Sequence, residues 1–140
     1  MEATIFQIIL GGFLASVVWF IVGGALYLNP LVAKMYKNAE GSPGLKKWSS
    51  NPKYLTFQYL GALVQCLLWA VVFAFIQPIF PESIMLTGLY FGLVLVAIKI
   101  IPRGYDMWIQ TTYPNKLLVV EFVNGTIGSF VIAFVIAYFV

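Results

Sequence analysis

Residues 117–130, LLVVEFVNGTIGSF, place a glutamate, an asparagine and two glycines inside one of the most apolar segments of the chain. Each residue of an α-helix advances by about 100°, so these polar and small residues share one face. Measured from Glu121, the face within about 80° contains Asn124, Gly125, Gly128, Ser129 and Ile132. Apart from Thr126, the other residues of this segment are large and apolar. The stretch therefore predicts a helix that turns a single polar stripe toward protein neighbours.

The whole chain is apolar. Its 140 residues are 61% hydrophobic and only 9% charged, and the mean hydropathy is +0.93. Soluble domains carry about 25% charged residues. A soluble core this small cannot bury so many apolar side chains, so we predict an integral membrane protein.

Four apolar runs approach the roughly 20 residues that cross a hydrocarbon layer of about 30 Å. They cover residues 5–28, 54–79, 84–101 and 117–140, and Pro102 is expected to end the third. We predict an all-α fold in which residues 1–140 form one transmembrane domain, a four-helix bundle with short basic and aromatic loops. The first run is too long for the apolar part of a cleaved signal peptide, so we expect it to persist as a helix.

The basic residues indicate an orientation. All eight lie in or beside two loops, one between the first and second spans and one between the third and fourth. The N-terminus, the 77–83 connection and the C-terminus carry none. The positive-inside rule then predicts a multi-pass protein of a cell (inner) membrane, with both basic loops cytoplasmic and both termini on the non-cytoplasmic side.

Aromatic residues accompany the basic ones in both loops. Residues 31–37 are predicted to form an interfacial helix. The expected interfacial anchors are Tyr36, Trp48, Arg103, Tyr105, Trp108 and Tyr113. A lipid-headgroup site or a partner surface on these loops is the alternative to simple anchoring.

Small residues recur on one face of every span, and such residues let helix backbones approach closely. The predicted helix-packing residues are Gly12, Ser16, Gly23, Gly61, Gly88, Gly92, Gly125 and Gly128. On the second span, Trp69, Phe73 and Phe75 are expected to face lipid or a partner.

Polar side chains within the spans are expected to form an intramembrane network of Glu121, Lys99, Asn124, Gln58 and Gln65. Lys99 and Glu121 lie about 3 Å and about 6 Å from the same predicted membrane face. A lone charge in hydrocarbon costs several kcal/mol, so we expect these two to form an ion pair that Asn124 extends inward. The first alternative is that this pair only fixes the packing of the helices. The second is that it forms part of a path for ions, protons or substrate. Snorkelling of both groups to water is the third alternative.

Residue types limit the chemistry. The chain has no His and one Cys, which excludes Cys/His zinc sites, His-ligated haem and His-based nucleophilic triads within it. We predict no catalytic residue, metal site or cofactor, and no nucleic-acid partner, because the net charge of +3 has no soluble domain to form a basic patch.

The predicted function is that of a non-catalytic structural or accessory subunit. Its expected partners are membrane lipids, other membrane proteins or further copies of itself. The alternative is a small oligomeric transporter or channel with a polar path near Glu121 and Asn124. An enzyme of lipid or quinone chemistry is less favoured, because the available side chains form no recognised motif.

The end of the first span and the segment after it, GGALYLNPLVAKMYK (residues 23–37), carry a family resemblance. Two glycines and an aromatic residue precede a proline, and a short basic and aromatic stretch follows. The segment resembles the domain-of-unknown-function 1761 family of small four-helix membrane proteins. The resemblance implies a four-helix bundle and brings no agreed activity with it.

Overall fold

The computed structural model describes residues 3–140, which contain four helical spans long and apolar enough to cross a membrane. The α-helices are α1 (Ile5–Leu28), α2 (Pro30–Asn38), α3 (Asn51–Ile76), α4 (Ile84–Leu95), α5 (Ile101–Gln110) and α6 (Asn115–Phe139). A 3-10 turn, Gln77–Ile79, follows α3. The described part of the chain has no strand. The predicted all-α four-helix bundle is confirmed, and α2 is the short helix that was predicted at residues 31–37.

Local sequence signals set the starts of these helices. Thr4 and Gln7 form a reciprocal capping box at the start of α1. Asn29 accepts a hydrogen bond from the Val32 backbone N–H at 3.1 Å, at the start of α2. Ser50 caps α3 in the same way. Such side chains satisfy backbone N–H groups that have no partner within the helix, so α1, α2 and α3 each begin directly after a residue that caps them.

Pro102 does not end the third span, contrary to the prediction. Helical structure runs without a break from Ile84 to Gln110, over 27 residues. Proline lacks the backbone N–H of a regular turn, and its ring crowds the carbonyl four residues earlier. A π-helical turn, Val96–Ile100, directly precedes α5 and widens the helix where this conflict arises. The extra residue in a π turn rotates everything after it by about 100° relative to a continuous α-helix.

The four spans pack in a row. α3 packs against α1, α1 against α6, and α6 against α4. The π turn and α5 continue along α6, and α2 lies against α1 and α6. We call the end formed by residues 29–50 and 103–116 the basic end, and the end formed by residues 77–83 the hairpin end.

Glycines set the close approach of neighbouring helices. A methyl group at Gly128 would lie 2.5 Å from the indole of Trp19, so α1 and α6 fit only with hydrogen there. The rings of Phe134 and Phe130 occupy the space over Gly88 and Gly92 and fasten α6 to α4. The remaining predicted packing residues that the structure confirms are Gly12, Ser16 and Gly125. Gly23 is buried, but a methyl group there would contact only Trp19 of the same helix, so its role in helix packing stays a prediction.

We expect Gly12→Ala to destabilise the protein by about 1–3 kcal/mol. The added methyl would lie 2.9 Å from the backbone Cα of Leu67, which a side-chain rotation cannot relieve. Gly61→Ala is the matched control, because nothing lies within 4 Å of a methyl group there. The control should be neutral or slightly more stable, since alanine favours helix. Thermal unfolding in detergent measures both variants, and equal stability of the two would contradict this account of the α1–α3 contact.

An aromatic cluster closes the hairpin end. The ring centroids of Phe73 and Phe91 lie 4.9 Å apart, and those of Phe73 and Phe80 lie 5.9 Å apart. Phe73 and Phe91 are both 0% exposed. The prediction that Phe73 faces lipid is therefore wrong, whereas Phe75, at 82% exposed, points outward as expected. The cluster joins α3 to α4 at this end of the bundle.

Candidate functional site

A cleft of about 490 Å³ opens at the basic end, between α3 and the third span. It exists because α3 packs on α1 while the third span packs on α6, and the aromatic cluster joins these two outer spans only at the hairpin end. The α3 wall includes Phe57, Gln58, Gly61 and Gln65. The opposite wall includes Lys99, Arg103 and Met107. Trp19 of α1 and Glu121, Phe122 and Gly125 of α6 line the cleft between these walls.

The α3 wall corrects one part of the sequence analysis. Gln58, Gly61 and Gln65 were expected to pack inside the bundle, but all three are exposed. The helical face was identified correctly, since all three residues share it. The neighbour expected on that face is missing because the third span packs on α6 instead of on this part of α3. The two amides therefore face the cleft.

Tyrosine hydroxyl groups surround the Glu121 carboxylate. The hydroxyl of Tyr27 donates to Oε2 at 3.1 Å. The hydroxyl of Tyr36 donates to Oε1, and so does that of Tyr113, at 3.4 Å. The guanidinium Nη2 of Arg103 lies 4.0 Å from Oε2, and the Glu121 side chain is 22% exposed. We call these five residues the Glu121 cluster.

The Glu121 cluster gathers side chains from α1, α2, the 111–114 connection, α5 and α6. Asn29 turns the chain between α1 and α2, which brings the rings of Tyr27 and Tyr36 edge to face, with centroids 6.0 Å apart. The hydroxyl oxygens of Tyr36 and Tyr113 lie 3.2 Å apart. The cluster therefore holds the short helix α2 and the 111–114 connection against the spans α1 and α6.

Burial raises the pKa of the two phenols of the cluster that lie outside the spans, Tyr36 and Tyr113. Burial first, and then the hydrogen bond to the Glu121 carboxylate, raises the pKa of Tyr36. Burial is also the largest cause that raises the pKa of Tyr113. Both phenols are therefore hydrogen-bond donors at neutral pH. Because the folded-state pKa values are raised, their contribution to stability is complete below the ordinary tyrosine pKa of 10.0 and declines as the pH rises further.

The predicted ion pair between Lys99 and Glu121 is wrong. Arg103 is the cation within 4.0 Å of Glu121, and no carboxylate of residues 3–140 lies in that range of Lys99. The physical reason is the π turn, which contains Lys99 and changes the helical register between Gly92 and Arg103. Lys99 instead lies half-buried on the cleft wall, one turn before Arg103. Arg103 is thus more than the interfacial anchor that the sequence analysis expected.

Asn124 lies one helical turn from Glu121, toward the middle of α6, and is 5% exposed. Its Nδ2 has no hydrogen-bond partner among residues 3–140. The amide nevertheless lies close enough to the Tyr27 hydroxyl to interact with it, so Asn124 borders the Glu121 cluster without a hydrogen bond of regular geometry. Asn124 is buried on the face that the sequence analysis identified.

Of the other predicted anchors, Tyr105 and Trp108 lie on the exposed surface of α5, and Trp48 lies beside the cleft. Tyr105 and Trp108 are 59% and 60% exposed, and their ring centroids lie 6.1 Å apart. Trp48 packs against Phe57 of the α3 wall, with ring centroids 5.6 Å apart. The first basic loop thus helps to place one wall of the cleft.

Tyr27 was not predicted from the sequence as a partner of Glu121. The aromatic lining of the cleft by Trp19, Phe57 and Phe122 was not predicted either. A signal for the tyrosines was present, because Tyr27, Tyr36 and Tyr113 all flank span ends on the predicted side of Glu121. Tyrosine was interpreted there as a membrane anchor, while its hydroxyl is also a donor for a carboxylate.

The cleft combines cations, a carboxylate and amides with aromatic surface, so it offers charge and hydrogen bonds to a bound polar group. Within residues 3–140, no group of three or more His, Cys, Asp or Glu side chains is placed to hold a metal ion. Comparison of the chain with protein-family models, curated proteins and solved structures finds no match. The resemblance to the domain-of-unknown-function 1761 family stays an expectation from the sequence.

Proposed function

We propose that this chain is a non-catalytic integral membrane protein that binds a membrane lipid, with the lipid headgroup in the cleft at the basic end. The observation that carries the proposal is a polar cleft set in an apolar surface. Its volume of about 490 Å³ lies within the range of about 300–1,000 Å³ that is usual for ligand sites.

The surface beside the cleft supports a lipid as the ligand. On α3, Leu60 and Val64 are 48% and 57% exposed and adjoin the cleft residues Gly61 and Gln65. On the other side, Ile98 is 52% exposed, next to Lys99. Exposed apolar area of this kind suits acyl chains, while the polar walls suit the headgroup. One amphiphilic molecule can therefore satisfy both regions.

The charge distribution supports an orientation. The positive-inside rule places the basic end at the cytoplasmic leaflet of the inner membrane, and both termini on the other side. A headgroup in the cleft would then belong to a lipid of the cytoplasmic leaflet. Binding of further copies, or of another membrane protein as an accessory subunit, would use the remaining apolar face of the bundle.

A blocking substitution tests the proposal. Gly61→Trp places an indole in the cleft from a position with open space around it, and Gly24→Trp adds the same group at another open position outside the cleft lining. Native mass spectrometry after gentle detergent extraction should detect bound lipid on the unmodified protein and on Gly24→Trp, but not on Gly61→Trp. Gly61→Leu is a smaller plug if the larger one impairs folding. Lipid retained on the correctly folded plugged variants would contradict the proposal.

Transport is the second candidate, and a second cavity favours it. This cavity, of about 320 Å³, lies at the hairpin end and is lined by Phe73 and Phe80 of the aromatic cluster together with Thr87. A carrier exposes its site to the two sides of the membrane in turn, so a cavity at each end of the bundle suits this function. Flux of protons, cations or small amines into proteoliposomes would support transport, and sealed vesicles would support the binding function.

A further inference from the structure

We infer that the cleft recognises the phosphate of an anionic phospholipid, which Lys99 and Arg103 hold from the third span. The inference rests on the lipid-binding function proposed above and names the headgroup chemistry. Lys99 and Arg103 are four residues apart on one wall of the cleft. Two cations on adjacent turns suit a single phosphate, because each can reach a different oxygen of it.

Lys99 is free to bind a ligand. It lies half-buried within an apolar span, and no carboxylate of the described residues 3–140 is within 4.0 Å of it. A charge in such a place is expensive without a partner and is frequently functional. The π turn places it on the cleft wall, and π turns are frequent at functional sites.

Arg103 also keeps donors for a ligand. Its side chain is 60% exposed, and its contact with Glu121 is long, at 4.0 Å. The carboxylate of Glu121 already accepts hydrogen bonds from Tyr27, Tyr36 and Tyr113. A guanidinium has five N–H donors, so most remain available to phosphate oxygens.

The electrostatic balance of the cleft favours an anion. Its charged lining residues are Lys99, Arg103 and Glu121, two cations against one carboxylate. The opposite wall adds the exposed amides of Gln58 and Gln65, which can donate to the remaining headgroup oxygens. Basic pockets between spans on the cytoplasmic side are a known mode of binding acidic lipid headgroups. A cationic ligand would meet the excess positive charge.

The test compares phosphatidylglycerol with diacylglycerol of the same acyl chains, which lacks the phosphate, by native mass spectrometry of the full chain. The unmodified protein should bind phosphatidylglycerol about tenfold or more tightly, since hydrogen bonds to charged groups contribute at this level. Lys99→Gln and Arg103→Gln should each weaken phosphatidylglycerol binding about tenfold and leave diacylglycerol binding unchanged.

Lys116→Gln is the matched control, because it removes a positive charge at the same end of the bundle from a residue outside the cleft lining. Its preference for phosphatidylglycerol should be unchanged. Lys99→Arg, which retains the positive charge, should also retain the preference. Displacement of phosphatidylglycerol by glycerol phosphate at equal concentration would assign the site to a soluble phosphate ester and overturn the lipid assignment.

Three outcomes bear on this inference, and two of them leave the proposed function standing. Equal binding of phosphatidylglycerol and diacylglycerol, with both abolished by Gly61→Trp, would overturn phosphate recognition while the lipid-binding function stands. Failure of both lipids to bind the unmodified protein would overturn the inference and the proposed function together. A preference for phosphatidylglycerol that survives in both Lys99→Gln and Arg103→Gln would overturn the assignment of these two residues.

Discussion

Phe73→Ala should destabilise the protein by about 3 kcal/mol or more, the loss typical of a buried phenylalanine reduced to alanine. Phe73 is 0% exposed and touches both other rings of the aromatic cluster, Phe80 and Phe91. Packing holds helices together in lipid, where acyl chains are as apolar as the side chains. An unfilled cavity at this point would remove the contact that joins α3 to α4 at the hairpin end.

Phe75→Ala is the matched control, since it removes the same ring from the same helix at a position that is 82% exposed. It should change stability by less than about 0.5 kcal/mol, as surface substitutions usually do. Reversible unfolding in mixed micelles, followed by circular dichroism, measures both variants. Similar losses for Phe73→Ala and Phe75→Ala would show that the cluster is not a packed core.

Glu121→Leu should also destabilise the protein by about 3 kcal/mol, because each buried donor that loses its acceptor costs about 1–3 kcal/mol. The hydroxyl groups of Tyr27, Tyr36 and Tyr113 would lose their common acceptor. Helix α2 would lose the hydrogen bond from Tyr36 to α6 and keep only its contact with the Tyr113 hydroxyl. Asp106→Leu, at an exposed acidic residue of α5, is the control and should have little effect.

A double-mutant cycle tests which residues hold Glu121. Glu121→Leu combined with Tyr36→Phe should be milder than the sum of the two single losses, because the second change removes a donor already left without an acceptor. Glu121→Leu combined with Lys99→Leu should be additive, since Lys99 is not paired with Glu121. A larger coupling with Lys99 than with Tyr36 would restore the ion pair that the sequence suggested.

The two cations of the cleft thus have different environments. Arg103 lies beside a carboxylate that tyrosines already satisfy, while Lys99 has no carboxylate near it among residues 3–140. The Glu121 cluster therefore supports the structure and leaves the cleft wall formed by the third span electropositive. This division is what lets one acidic residue stabilise the bundle without cancelling the charge of the cleft.

Several features of the fold followed from the sequence because they depend on neighbours along the chain. Apolar length set the spans, and the run at residues 5–28 coincides with α1. The N-cap at Asn29 and the proline after it set α2. The faces of α4 and α6 with Gly88, Gly92 and Gly128 followed from 100° per residue, because both helices are regular there.

The errors arose where regular geometry fails or where a distant partner decides. The π turn before Pro102 changed the register of the third span. As a result Arg103, and not Lys99, lies near Glu121. Phe73 and Phe75 lie on one apolar helix, and only the position of α4 decides which of them is buried. Helical periodicity identifies a face but not the helix that covers it.

The sequence by itself determined an all-α bundle of apolar spans, the capped starts of several helices and the segregation of its basic residues, because hydropathy and capping act locally. Only the tertiary structure decided that α3 and the third span separate at the basic end, with amides on one wall and cations on the other. The reason is that a cleft forms between helices that are distant in sequence. Its shape depends on how the glycines of one helix pack against the aromatic rings of another. The acceptor of the three tyrosine hydroxyls was decided in the same way.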